Sequence, residues 1–110
     1  MIPDFGEIQR LVGQGRYEVS AHAQRERLAE DLDVVELEGA IEQGELLEEY
    51  PDDPRGWSCL VLGYAGARPV HVVLGWAHSR REDARVPRII TVYVPGPPKW
   101  RDSRTRGASR

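Results

Sequence analysis

A chain of 110 residues, 40 % hydrophobic and 30 % charged, has the size and balance of one soluble globular domain. Three features exclude a membrane-spanning helix and a disulfide-stapled secreted scaffold. No apolar run approaches the roughly 20 residues needed to cross a bilayer, the start Met1–Arg10 lacks a basic-then-apolar leader, and the lone Cys59 cannot close an intrachain disulfide. The expected compartment is the cytoplasm. The net charge of −3 conceals an uneven layout: residues 26–53 carry twelve acidic side chains against one basic, and residues 54–110 carry eleven basic against three acidic. Folded onto different faces, these blocks would polarise the molecule; the acids equally suit solvated helix faces.

Residues 3–12 read as a first helix, with Phe5, Ile8, Leu11 and Val12 at helical spacing and Gly13-Gln14-Gly15 ending the run. Arg16 to Val19 is extended or a very short strand. Ser20 then has the chemistry of an N-cap for a helix from Ala21 to about Glu30, whose apolar face (Ala21, Leu28, Ala29) is weak. Asp33 and Glu36 have capping-box spacing ahead of the stripe Val34, Leu37, Ala40 and Ile41, and Gly44 supplies the stop. Glu45–Tyr50 is a candidate strand, followed by turn chemistry through Gly56. Two apolar runs around Gly66, within Trp57–Trp76, make a β-hairpin that should lie centrally in its sheet. His78–Pro87 is a charged loop, Arg88–Val94 a further strand, and Pro95-Gly96-Pro97-Pro98 its breaker. The expected fold is α+β: N-terminal helices on one face of a four-stranded antiparallel sheet, in a single domain over residues 1–100. Residues 101–110 read as a basic tail too polar to pack.

His22 draws attention first. In the first turn of a Ser20-capped helix, the positive end of the helix dipole disfavours imidazolium. A neutral ring there can accept a proton or donate a hydrogen bond; it can equally hydrogen-bond across to the sheet with no further role. Arg25 and Arg27 follow and suit an anion such as phosphate. Strand parity puts His71, Val73 and Gly75 on one face and Ile89, Thr91 and Tyr93 on one face. If the two sets agree, His71, Thr91 and Tyr93 form a polar cluster, either a concave site or a buried trio satisfying one another. His22, Cys59, His71 and His78 have no paired metal-ligand spacing, so neither a metal site nor another cofactor is expected. Lys99, Trp100 and Arg101 open a segment that could track a nucleic-acid backbone and stack a base, stay disordered, or dock on the acidic middle of a partner copy.

Several stretches taken together resemble a known family. They are Tyr17-x-Val19-Ser20-x-His22-Ala23, the Asp33–Gly44 helix, Leu46–Asp53, Cys59–Tyr64, Arg68–Val73 and Ile90-Thr91-Val92-Tyr93. In order and spacing they are similar to a small bacterial domain-of-unknown-function family, number four-two-five-eight, over about residues 17–100. That family looks like a distant relative of the barnase–EndoU–colicin–RelE group. The resemblance implies helices followed by a four-stranded antiparallel sheet and, for many members of the group, metal-independent ribonuclease activity in toxins held by an antitoxin. It implies site roles for His22, a neighbouring helix arginine, His71, Thr91 and Tyr93. Family members usually place the arginine four residues after the histidine, where this chain has Glu26, so either Arg25 or Arg27 would inherit the role.

Two functions follow as expectations. One is a toxin-like endoribonuclease using His22 or His71 as base and acid, Arg25 or Arg27 on the phosphate, and Tyr93 in support. The other is a non-catalytic RNA- or protein-binding module on the same scaffold; a small-molecule or metal-responsive regulator is a third. Convergence of His22, an arginine and the His71/Tyr93 face in one open cleft would favour the enzyme.

Overall fold

The computed structural model describes residues 5–54, 56–77, 86–97 and 99–107. The expected 78–87 loop lies outside them up to residue 85, and His78 with it. Helix α1 (Phe5–Gly13) buries Ile8, Leu11 and Val12, the stripe that its spacing predicts. In α2 (Ala21–Ala29) the Ser20 side chain accepts from the Ala23 N–H, and only Ala23 is buried. In α3 (Val34–Glu42) both halves of the capping box form: Glu36 N–H donates to Asp33 Oδ1 at 2.8 Å, and Asp33 N–H to Glu36 Oε1 at 3.1 Å.

The sheet has five strands rather than four, in the order β1-β5-β4-β3-β2. Strands β2 (Glu45–Tyr50), β3 (Ser58–Ala65), β4 (Arg68–Trp76) and β5 (Pro87–Tyr93) are antiparallel neighbours, and the Trp57–Trp76 hairpin is central as expected. The fifth strand is β1 (Glu18–Val19), which pairs in parallel with Arg88 and Ile89 of β5. Two residues carry no amphipathic pattern, so the sequence shows extended chain at Arg16–Val19 without the pairing. The β3–β4 turn has two residues, Gly66 and Ala67, of which Gly66 takes φ +64°, as a type II′ turn requires.

One face of the sheet meets the helices. Cys59 and Val61 of β3, Val70, Val72 and Leu74 of β4, and Ile89 and Val92 of β5 pack with Ile8, Val12, Ala23, Leu32, Leu37 and Ile41. Helix α3 comes so close to β3 that a Cβ on Gly63 would strike the Ala40 backbone. Alternate residues Leu60, Leu62 and His71 point the other way and are buried too, because the chain end folds back over that face. Trp100 is 1 % exposed and bridges to Arg106. Arg104 Nη1 donates to both oxygens of Glu45, Arg106 forks onto Glu48 through Nε and Nη2, and the Arg106 guanidinium lies 4.6 Å from the Trp100 ring centre. Residues 101–107 therefore pack, against the expectation of a tail too polar to do so. Charge pairing with β2 and one indole supply what composition did not reveal.

The expected face-sharing of Ile89, Thr91 and Tyr93 is also corrected. A bulge leaves Ile90 unpaired between Leu74↔Ile89 and Val73↔Thr91, so Ile89 joins the helix-side core while Thr91 and Tyr93 pair with Val73 and His71.

Candidate functional site

Ser20 builds the site. Its N–H donates to Ile89 O and its hydroxyl to Ile90 O, each at 2.9 Å, while Oγ also accepts from Ala23 N–H. The start of α2 is thus stapled to the edge of β5 at the bulge. Beyond the two residues that β1 covers, the β5 edge would leave N–H groups open, and α2 supplies a carboxylate there. Glu26 Oε1 accepts from Val92 N–H at 2.8 Å and from the Thr91 hydroxyl, and Oε2 faces His22 Nε2 at 3.2 Å. A tautomer protonated at Nε2, the nitrogen that faces Glu26, leaves the ring's lone pair on Nδ1. The His22 side chain is 62 % exposed and Glu26 25 %, so the pair is supported from within and open outside.

A cleft of about 380 Å³ opens beside it, lined by Ser20, His22, Trp57, Ser58, Trp76, Arg88 and Ile90 over the backbone of Gly56 and Gly75. Trp57 is held by its indole N–H on Glu49 (3.2 Å), and Ser58 by its hydroxyl on Asp53 (2.7 Å). A Cβ on Gly75 would lie 2.7 Å from the Trp57 carbonyl oxygen, so glycine is what lets the Trp57 segment close this end. Arg88 donates to Glu18 Oε1 at 3.0 Å from an exposed position.

His71 has a different setting. It is 0 % exposed, with Nε2 at 2.7 Å from Ser103 O and Nδ1 at 3.2 Å from the Tyr93 hydroxyl. A carbonyl can only accept, so Nε2 carries the proton, Tyr93 O–H donates to Nδ1, and Trp100 Nε1–H donates to the Tyr93 oxygen at 3.1 Å. Trp100 stands edge-on to the imidazole at 4.4 Å. Burial pushes the His71 pKa down, outweighing the Ser103 carbonyl and Glu48, and burial likewise raises that of Tyr93. This is the satisfied buried cluster, with Thr91 turned instead to Glu26.

The expected site residues therefore fall into separate groups. His22 and Thr91 meet through Glu26; His71, Tyr93 and Trp100 form the sealed cluster, with Lys99 Nζ 5.6 Å from the Tyr93 ring centre. Trp100, buried, offers no free face for stacking a base. Arg27 spends its guanidinium on Gln24 Oε1 (2.8 Å) and Leu32 O (2.9 Å), closing the α2–α3 connection away from the cleft. Arg25 and Arg101 are exposed and do not line the cleft. Among the described residues, Arg88 is the arginine that shares it with His22. Glu26, Trp57, Trp76 and Arg88 were missed by sequence reasoning. The His22/Glu26 spacing of four was the available signal for the first, and nothing local marked the others. Among the described residues no three His, Cys, Asp or Glu side chains gather so as to hold a metal ion, and no helix is long and apolar enough to cross a membrane.

Fold and site together define an α+β domain with a carboxylate-backed histidine at the mouth of an aromatic cleft. The chain belongs to the family described as Domain of unknown function (DUF4258), whose model matches residues 19–94, from the end of β1 to just past β5. Neither a curated protein nor a solved structure matches the chain.

Proposed function

We propose that this domain is a metal-independent endoribonuclease of the toxin-like, RelE/barnase-related kind, with His22 as its reactive group. The observation that carries the reading is the His22–Glu26 pair opening on a cleft that also holds Arg88. In RNA cleavage by the neighbouring hydroxyl, His22 Nδ1 takes the 2′-OH proton as O2′ bonds to phosphorus. The P–O5′ bond then breaks, leaving a 2′,3′-cyclic phosphate, and the departing 5′-oxygen takes the proton back from the imidazolium. Glu26, with Oε2 3.2 Å from Nε2, compensates the transient charge of the ring. The Arg88 guanidinium, which lines the same cleft, offsets charge on the pentacoordinate phosphate in this reading. The chemistry needs no cofactor, and RNA and a cognate antitoxin are the partners that it implies.

A non-catalytic RNA- or protein-binding module is the second reading. It is favoured by the burial of His71 and the structural engagement of Arg27, which leave the cleft one histidine and one arginine among the described residues. Expression of wild type and His22→Ala in a bacterial host separates the two. The enzyme reading expects growth arrest with RNA fragmentation from wild type, and relief in His22→Ala at equal protein level. Equal effects from both, or none from either, refute it.

A further inference from the structure

We infer that the cleft between Trp57 and Trp76 is a subsite for one unpaired nucleotide, its base against the indole walls and its phosphate at Arg88, beside His22. The proposal rests on the ribonuclease reading for its place in the chemistry, but the binding stands or falls separately.

Small-molecule sites are concave, largely apolar and carry few polar groups, with volumes from about 300 Å³ upward. This cleft, at about 380 Å³, fits that description: Trp57, Trp76 and Ile90 make apolar walls, and two glycines leave a backbone floor. Its hydroxyl groups are already committed, Ser58 to Asp53 and Ser20 to Ile90 O and Ala23 N–H. Among the described lining residues, Arg88 and His22 bring a guanidinium and an imidazole to the aromatic walls. Arg88 gives one nitrogen to Glu18; a guanidinium has five donors, so it can hold that carboxylate and a phosphate oxygen together. A planar ligand carrying an anion suits walls of indole and a rim of arginine. A nucleotide has both parts joined, and every base presents a π-face to stack. Only an unpaired base can enter, so the site selects loops, ends and single strands over duplex. The third indole, Trp100, is sealed against His71 and does not line the cleft, which provides an internal control.

The test follows the three indole N–H signals by NMR during titration with adenosine 3′-monophosphate, with ribose 5-phosphate and inorganic phosphate as controls lacking a base. The expected result is saturable movement of the Trp57 and Trp76 signals with Trp100 unmoved, and much weaker response to either control. Trp57→Leu should weaken binding about 5- to 150-fold, the range for losing one stacked base. Arg88→Gln should weaken the nucleotide but not adenosine. Unmoved Trp57 and Trp76 signals, or unchanged affinity in both variants, overturn the subsite. Nucleotide binding by a protein that cleaves no RNA would keep the subsite and remove the ribonuclease reading; cleavage without nucleotide binding would do the reverse.

Discussion

Trp100→Ala tests whether the chain end is part of the fold. The indole is 1 % exposed, donates to Tyr93 and stands edge-on to His71. Truncating a buried Trp to Ala costs about 3–5 kcal/mol in transfer and cavity terms. Against a whole-domain stability of about 5–16 kcal/mol at this length, that is a large share. The remaining anchors of residues 101–107 include the His71 hydrogen bond to Ser103 O and two arginine–glutamate pairs with partly exposed side chains; such pairs contribute little once screened by solvent. Backbone ordering costs about 1–2 kcal/mol per residue, so without the indole the segment should detach. Urea unfolding should show the midpoint falling by at least about 1 M, given a slope of about 1–3 kcal/mol/M. Trypsin should then cut at Arg101, Arg104 and Arg106 long before the core. An unchanged midpoint together with unchanged protection of those arginines would refute the packing argument.

Four further outcomes follow from the same contacts. Burial lowers the His71 pKa below its ordinary 6.5, so the unfolded chain binds the proton more readily. Stability is full above about 6.5 and should fall below it, by up to about 1.4 kcal/mol per pH unit until the folded-state pKa is passed; denaturation at several pH values should show this slope, and His71→Gln should flatten it. Glu26→Ala removes two hydrogen bonds to a carboxylate from β5 and should cost about 2–4 kcal/mol, whereas Glu26→Gln, which keeps an acceptor for Val92 N–H, should cost less; thermal melts of both compare them. Gly63→Ala drives a methyl into the Ala40 backbone and should destabilise by about 1–3 kcal/mol or more in the same melts. Burial pushes the Cys59 thiol up to about 12, so a thiol reagent at neutral pH should label it only after denaturant is added.

Most of the architecture was readable in the residues because it rests on local chemistry. Ser20, Asp33 and Glu36 announce helix starts through side chains that reach only three residues on, and the hairpin around Gly66 needs only two apolar runs and a turn. Long-range pairing was not readable in the same way. Glu18 and Val19 become a strand only because β5 lies beside them, and Arg104 and Arg106 find carboxylates only because the fold brings Glu45 and Glu48 beneath them. The Ile90 bulge breaks the parity on which the placement of Ile89, Thr91 and Tyr93 relied. At the site, His22 was found from its cap. Glu26 was noted only as a departure from the family's usual arginine, although it holds both the strand edge and the histidine. Trp57, Trp76 and Arg88 converge from three segments with no shared motif, and only coordinates bring them together.

The central claim is that the open His22, and not the sealed His71, does the chemistry. Its most direct test is cleavage of an end-labelled single-stranded RNA by purified protein in EDTA, comparing wild type, His22→Ala and a folded His71→Gln. The account predicts fragments ending in 2′,3′-cyclic phosphate from wild type and His71→Gln, with His22→Ala slower by about 100-fold or more. Intact RNA with wild type, or cleavage that survives loss of His22 and disappears with loss of His71, would contradict it.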